Sequence, residues 1–313
     1  MIGSRYPIYR PHSSNAAIVA CKEAANENDE SRKRFEVMCR EVFKKFKASI
    51  NVQGVNAHRS DRDAINIVYK SLQQDREQAD IADIIQQLHL LVNDAIEVRP
   101  GSQDYPSTTY DISKIDFDRL RKEFASSPKK NTTVQNLRQA VEQRLQRLLL
   151  QNPLRTDFQQ HYEQIVSEYN REKDRVTIEK TFEALFKLVQ EFDEEEHRAV
   201  REGLDEESLA IFDLLKKPEL SAADIKRIKA VAVQLLERLK AEKLQVDHWR
   251  DKEATRDAVR VAIRDYLWDD AKGLPVDAFG EEDVAARADD VFRHIYRAYP
   301  TVPSPYFSTQ SMV

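Results

Sequence analysis

The acidic run Asp193–His197 is the part of this sequence that most resembles a catalytic motif. Its residues, Asp-Glu-Glu-Glu-His, resemble the DExx box with which nucleic-acid motors hold magnesium beside ATP. Such a box follows a buried apolar strand, whereas the apolar residues before this run are spaced four, three, four and three apart, as in a helix. The sequence also lacks a glycine-rich loop ending in Gly-Lys-Ser or Gly-Lys-Thr. We interpret the run as a solvated acidic turn at the end of a helix.

A second group of carboxylates, Pro218-Glu219 followed by Asp224-Ile225-Lys226, resembles the magnesium site of restriction-type nucleases. In those enzymes the carboxylates lie on adjacent strands. Here Ser221 precedes Asp224 by three residues, which is the spacing of a helix capping box, although that motif prefers glutamate. We therefore predict a helix cap and keep a nuclease site as the weaker alternative.

The histidines, cysteines and serines indicate no further catalytic site. No two histidines stand four residues apart, so the sequence contains no helical metal motif. Cys21 and Cys39 accompany neither a CxxC motif nor a histidine pair, and no GxSxG nucleophile motif is present. We expect this chain to hold no metal and no cofactor. His89 and His294 lie beside apolar stripes and are predicted to pack in the core.

The central segment 114–155 is the basic part of an otherwise acidic chain. It contains ten basic and four acidic residues, a net charge of +6, whereas the whole chain has a net charge of −5. Cationic side chains could contact nucleic-acid phosphates here. They could equally be solubilising groups that flank a bundle helix, which is the interpretation we favour. The candidate phosphate contacts are Lys129, Lys130, Arg138, Arg144, Arg147 and Arg155.

A later stretch, Trp249–Trp268, combines aromatic residues with arginines, the two residue types that dominate protein-binding hot spots. Acidic residues are interspersed among its positive charges, which suits a protein partner better than DNA. The alternative is that the tryptophans fill the core, and for Trp249 the sequence does not distinguish the two. The candidate partner-binding residues are Trp249, Arg250, Arg256, Arg260, Arg264, Tyr266 and Trp268.

The elements that must position these residues are helices. Apolar residues recur at spacings of three and four along most of the chain, and no stretch alternates with the period of a strand. The sequence has only 6 glycines, and glycine-poor chains favour long helices over tight turns. We predict an all-α fold, an irregular multi-helix bundle of about ten helices with no significant sheet.

Breaks in the apolar pattern divide the chain into five predicted parts. Residues 1–28 are predicted to be disordered or a linker, and 29–98 a helical subdomain. The run Arg-Pro-Gly at the start of 99–115 marks a linker. Residues 116–299 form the main helical bundle, and 300–313, with three prolines and several serines, a disordered tail. No apolar run is long enough to span a membrane, so the cytoplasm is the expected location.

Several long runs resemble the C-terminal helical region of the R subunit of type I restriction enzymes. The resemblance covers roughly residues 29–299. One departure from the family pattern is His248, which stands inside an Asp-Trp-Arg junction that is usually shorter. The runs are Tyr-Asp-Ile-Ser-Lys-Ile-Asp-Phe at 110–117, Gln-Asn-Pro-Leu-Arg-Thr-Asp-Phe at 151–158, Asp-Arg-Val-Thr-Ile-Glu at 174–179 and Leu-Lys-Ala-Glu-Lys-Leu at 239–244.

The resemblance implies a docking role in bacterial or archaeal DNA restriction. In that family, the helical part docks the motor onto the modification (methyltransferase) and specificity subunits, and DNA is reached through the complex. ATP and magnesium are expected only for upstream motor and nuclease domains, so the chain would be a fragment or the product of a split gene. The alternatives are a nucleic-acid-binding module that uses segment 114–155 and, less favoured, an autonomous hydrolase.

The missing phosphate-binding loop and paired strand carboxylates predict that this chain is catalytically silent by itself. We expect no ATP hydrolysis and no DNA cleavage when the purified chain is incubated with magnesium. Phosphate release and plasmid nicking would be the measurements. ATP turnover that co-purifies with the chain and is lost on a substitution within it would contradict this prediction.

Overall fold

The computed structural model describes residues 15–52, 54–93, 117–171 and 175–307. Within these ranges the chain forms thirteen α-helices and one short 3-10 helix, Val55–His58, and no strand. The predicted all-α fold is therefore confirmed, with somewhat more helices than the ten that were expected.

In chain order, the helices are α1 (Asn15–Ala25), α2 (Asp29–Ala48), α3 (Arg59–Glu77), α4 (Ile81–Asn93), α5 (Phe117–Ser126), α6 (Lys130–Gln151), α7 (Thr156–Arg171), α8 (Arg175–Glu196), α9 (Arg198–Glu202), α10 (Glu206–Leu215), α11 (Ala222–Glu242), α12 (Glu253–Leu267) and α13 (Glu281–Ala298).

The start of α11 is the capping box that the sequence predicted. The Ser221 hydroxyl accepts the backbone N–H of Asp224 at 3.1 Å, and the Asp224 carboxylate accepts the backbone N–H of Ser221 at 3.2 Å. Each acceptor satisfies a donor that helix geometry leaves without a partner. The carboxylate also lies at the positive end of the helix dipole. The weaker nuclease interpretation of this segment is not needed to explain its residues.

The chain folds as two compact units rather than in the predicted order of subdomains. The first unit contains residues 1–143 and 160–191, and the second contains 144–159 and 192–313. The boundaries fall inside α6, α7 and α8, so these helices contribute residues to both units. The predicted subdomains were drawn from local breaks in the apolar pattern of the sequence. Such breaks show where helices end but not which helices pack together, and the predicted and observed divisions differ for this reason. The predicted linker 99–115 lies outside the described residues.

Helix α1 corrects the prediction that residues 1–28 are disordered or a linker. Within the first unit it buries Cys21 and Ala25 against Val68 and Leu72 of α3. The carboxylate of Glu23 also accepts the backbone N–H groups of residues 131 and 132, both at 2.8 Å, in the first turn of α6. A carboxylate at this position caps the helix and opposes its dipole. Residues 1–14 lie outside the described part of the chain.

Aromatic rings take part in the rest of the core of the first unit, together with many aliphatic side chains. Phe124 of α5 and Phe182 of α8 are nearly parallel, with ring centroids 4.0 Å apart. Tyr169 of α7 is buried, and its hydroxyl donates to the carbonyl of Glu27 at 3.1 Å. Burial raises the pKa of Tyr169 to about 12, so its hydroxyl remains a donor at neutral pH. Cys21 and Cys39 are both free thiols, as the sequence indicated.

The core of the second unit is formed by α10 to α13 together with the segment after α13. Its buried leucines, valines and aromatic residues come from all four helices. The Ser304 hydroxyl donates to the carbonyl of Ala298 at 2.5 Å, and Phe307 stacks on Tyr299 with centroids 5.8 Å apart. The predicted disordered tail therefore does not begin at 300, because residues 300–307 pack on the bundle. Residues 308–313 lie outside the described range.

Replacing Ser221 by alanine should lower the free energy of unfolding by about 1 kcal/mol, because one cap is lost. Urea denaturation followed by circular dichroism would measure the change. Lys226→Ala, at an exposed position one turn into the same helix, is the matched control and should change stability by less than about 0.5 kcal/mol. Equal effects of the two substitutions would show that the cap contributes nothing.

Candidate functional site

The acidic run at the end of α8 is part of a buried ion-pair network within the second unit. Arg155 is only 5% exposed. Its guanidinium donates to Glu195 at 3.0 Å and to Glu206 at 2.9 Å. Arg198 also donates to Glu195 at 3.0 Å and pairs with Asp213. The interpretation of this run as a solvated turn at a helix end holds for Glu194, Glu196 and His197, which are exposed, but not for Asp193 and Glu195, which are half-buried and pair with arginines.

The electrostatics of this network favour the charged form of Arg198. Burial opposes the charge of Arg198, but the hydrogen bond and the charge of Asp213 outweigh that effect and raise its pKa. Burial raises the pKa of Glu206, although Arg155 beside it acts in the opposite direction. Removing either partner would leave a charge buried without compensation, which is costly. The network is thus a structural element of the second unit.

Most of the candidate phosphate contacts are already paired with carboxylates. Lys130 lies 2.8 Å from Glu179, Arg138 pairs with Asp29, and Arg144 pairs with Asp193 and, at 2.7 Å, with Glu196. With Arg155, four of the six candidates therefore have their charge neutralised within their own unit. Lys129 and Arg147 are exposed and have no ion pair among the described residues. The candidates are also divided between the two units.

Two of the candidate partner-binding residues lie in the core of the second unit. Trp249 is 1% exposed, and its indole N–H donates to the carbonyl of Tyr299 at 2.9 Å. Tyr266 is buried, and its hydroxyl donates to the Oε1 atom of Gln234 at 2.9 Å. Both large rings are therefore already packed and hydrogen-bonded. The core alternative that the sequence left open for Trp249 is the one found.

Of the other candidates, Arg256, Arg260 and Arg264 lie on α12, Arg250 precedes this helix and Trp268 caps its end. Arg256, Arg260 and Arg264 stand four residues apart, and Trp268 follows Arg264 at the same interval. Side chains at this interval are neighbours along one side of a helix. We call these four residues the arginine row. Trp268, at its end, is 53% exposed.

Two aromatic residues of α13 support the cationic groups beside this row. The guanidinium carbon of Arg260 lies 4.4 Å from the ring centroid of Phe292, and that of Arg250 lies 5.6 Å from the ring centroid of Tyr296. Arg250 also donates to the carbonyl of Tyr296 at 3.1 Å. A shallow cleft of about 280 Å³ lies between the helices, with Arg256 on its wall. Stacking on a ring orders a guanidinium before any partner arrives.

Phe292 and Tyr296 were not among the residues predicted from the sequence. Their spacing of four residues on an amphipathic helix is the signal that could have indicated them, although it is equally the pattern of core residues. His294, on the same helix, is buried as predicted, whereas the side chain of His89 lies outside the described residues. In the part of the chain that the structure describes, no group of three histidine, cysteine or acidic side chains could hold a metal ion. None of the described helices is long and apolar enough to cross a membrane.

Comparison with known protein families identifies the chain. The sequence model of one family, the type I restriction enzyme HindI endonuclease subunit-like C-terminal region, matches residues 4–285. The chain belongs to this family. The resemblance noted from the sequence runs is thereby confirmed at the level of the family. No curated protein and no solved structure matches the chain at a significant level.

The arginine row of this family member lies inside the region that the family model matches, whereas residues 286–313 lie beyond it. Most of α13 therefore belongs to the part of the chain that the family description does not cover. Phe292 and Tyr296, which support Arg260 and Arg250, are among these residues. The surface thus combines a helix of the matched region with a helix that lies mostly beyond it.

Arg155 is paired and Arg147 has no ion pair among the described residues, although both belong to the same basic segment. We therefore predict that replacing them will change the free energy of unfolding by very different amounts. Arg155→Met should lower the free energy of unfolding by about 3 kcal/mol, because Glu195 and Glu206 lose their partner. Arg147→Met, at an exposed position, should change it by less than about 0.5 kcal/mol. Urea denaturation of both variants would be the measurement. Similar stability of the two variants would show that the network is dispensable.

Proposed function

We propose that this chain is a non-catalytic docking and assembly region of a type I restriction endonuclease subunit. In this proposal it connects the DNA-translocating and cleaving domains to the complex of modification and specificity subunits. The observation that carries the proposal is the arginine row on α12, because Arg260, Arg264 and Trp268 are exposed to solvent and Arg256, in line with them, is only partly buried. Family membership supplies the multi-subunit context.

The residue types of the arginine row favour a protein partner. Arginine and tryptophan bury large areas while keeping polar groups that can bond, and they are enriched at binding hot spots. The acidic neighbours do not neutralise the row. Arg260 lies 3.4 Å from Asp257 and Arg264 lies 3.7 Å from Asp265, but all four side chains are at least half exposed. Exposed pairs of this kind are weak and can be exchanged for a partner's carboxylates.

In the proposed complex, ATP and magnesium act on the motor and nuclease domains, and this chain contributes neither ligand nor nucleophile. The specificity subunit would select the DNA sequence, and DNA would reach this region through the assembled complex. The complex would operate in the bacterial or archaeal cytoplasm. We do not favour direct DNA binding through segment 114–155, because four of its six candidate cations are already paired.

Reversing the charge of the arginine row should abolish docking without unfolding the chain. We expect Arg256→Glu, Arg260→Glu and Arg264→Glu together to weaken binding to the cognate modification–specificity complex by at least about 100-fold, because several hot-spot contacts are lost at once. Helix content should be unchanged, since the three side chains are not buried. Isothermal titration calorimetry and circular dichroism would measure the two quantities.

The matched control carries the same charge change on other helices. Lys180→Glu, Lys187→Glu and Lys226→Glu together replace three exposed lysines and should leave affinity nearly unchanged. An unaltered affinity of the arginine-row variant would exclude this surface. Failure of the unmodified chain to bind the complex would exclude the docking function. Retention on duplex DNA that falls with added salt and depends on Lys129 and Arg147 would instead support a nucleic-acid-binding module.

A further inference from the structure

The second unit contains an open groove of about 500 Å³ between the turn that joins α6 to α7 and helix α13. Its apolar wall includes two leucines that are exposed to solvent, Leu150 at 38% and Leu154 at 53%. A single exposed leucine needs no explanation, but two on one wall of a groove form an apolar patch. The groove is separate from the cleft beside the arginine row.

Three arginines of α13 form the opposite, cationic edge of this groove. Arg287, Arg293 and Arg297 all line it, together with a single carboxylate, Asp290. Asp290 lies 3.9 Å from Arg287 and also pairs with Arg293. Three positive charges and one negative charge leave the edge with a net charge of +2. Arg297 is exposed and has no ion pair among the described residues.

A buried histidine also lies beside the groove. His294 is 3% exposed, and its Nε2 atom has no hydrogen-bond partner among the described residues. Burial lowers the pKa of this imidazole to about 4, so at neutral pH it is uncharged and offers one donor or acceptor. Buried polar atoms are nearly always hydrogen-bonded, so the imidazole of His294, whose Nε2 atom has no such bond among the described residues, is a sensitive reporter of any ligand that occupies the groove beside it.

These features together describe a ligand that has a large apolar group beside negative charge. A nucleic-acid backbone would satisfy the arginines but would place sugar and phosphate against the leucines, and no phenylalanine, tyrosine or tryptophan among the described residues lines the groove as a surface on which a base could stack. An acidic, amphipathic peptide segment satisfies both edges. We propose that this groove binds a segment of a partner protein in which acidic residues flank a leucine or phenylalanine.

This proposal does not depend on the arginine row. Arg287, Asp290, Arg293 and Arg297 are three to four residues apart and therefore share one side of α13, whereas Phe292 and Tyr296 occupy another. The groove residues of α13 also follow residue 285, where the family match ends. The groove and the arginine row can therefore be tested by separate substitutions.

The test uses the full chain and a fluorescein-labelled helical peptide of twelve residues in which glutamates flank two leucines. We expect saturable binding by fluorescence polarisation and a shift of the His294 ring signals in NMR spectra. Arg293→Glu with Arg297→Glu should weaken binding at least tenfold, and Leu154→Ser should weaken it independently. Both changes are at exposed positions, and circular dichroism would verify that the variants are folded.

Controls separate this site from general electrostatic attraction and from the arginine row. A peptide with lysines in place of the glutamates should not bind, and Arg260→Glu should leave the affinity unchanged. The proposal is overturned if the acidic peptide does not bind at millimolar concentration, or if the lysine peptide binds equally. It is also overturned if Arg260→Glu weakens binding as much as the groove variant does. Displacement of the peptide by duplex DNA, with the same dependence on Arg297, would assign the groove to nucleic acid instead.

Discussion

The buried charge of Arg155 is the constraint on which the second unit depends. A guanidinium that is 5% exposed must be paired, and its partners come from the end of α8 and the first turn of α10. Glu195 in turn accepts from Arg198, which pairs with Asp213. Asp213 also accepts from Asn152, just before α7, at 2.6 Å. The network thereby connects four chain segments of the second unit.

The distribution of arginines follows from this arrangement. Charged residues make up 33% of the sequence, and arginines occur in both the core and the surface. Arg144 and Arg155 are held by carboxylates of α8 and α10, so their charge stabilises the fold. Arg256 and Arg297 have no such partner among the described residues. The same residue type therefore stabilises the unit at one position and is available for binding at another, and only the partner distinguishes them.

Helix α13 shows how one amphipathic helix can serve three purposes. Its buried residues Val291, Ile295 and Ala298 complete the core of the second unit. Tyr296 and Phe292 order the guanidinium groups beside α12. The remaining side lines the apolar groove with arginines. Because packing of the core side fixes the rotation of the helix, it also sets the direction in which the other two sides face.

The sequence by itself determined the helices, the capping box at Ser221 and the family, because periodicity, caps and long characteristic runs are local features of the chain. Only the tertiary structure decided which charged side chains are paired inside the fold and which remain available to a partner. Arg155 and Arg147 belong to the same basic segment, yet the partners of Arg155 lie 40 and 51 residues away along the chain. Likewise, Glu23 of α1 caps α6, although 108 residues separate it along the chain from the N–H group that it accepts. This contact makes α1 part of the fold rather than a linker. Helical hydrogen bonds join residues four apart, whereas burial and charge pairing join segments that approach one another only after the chain has folded.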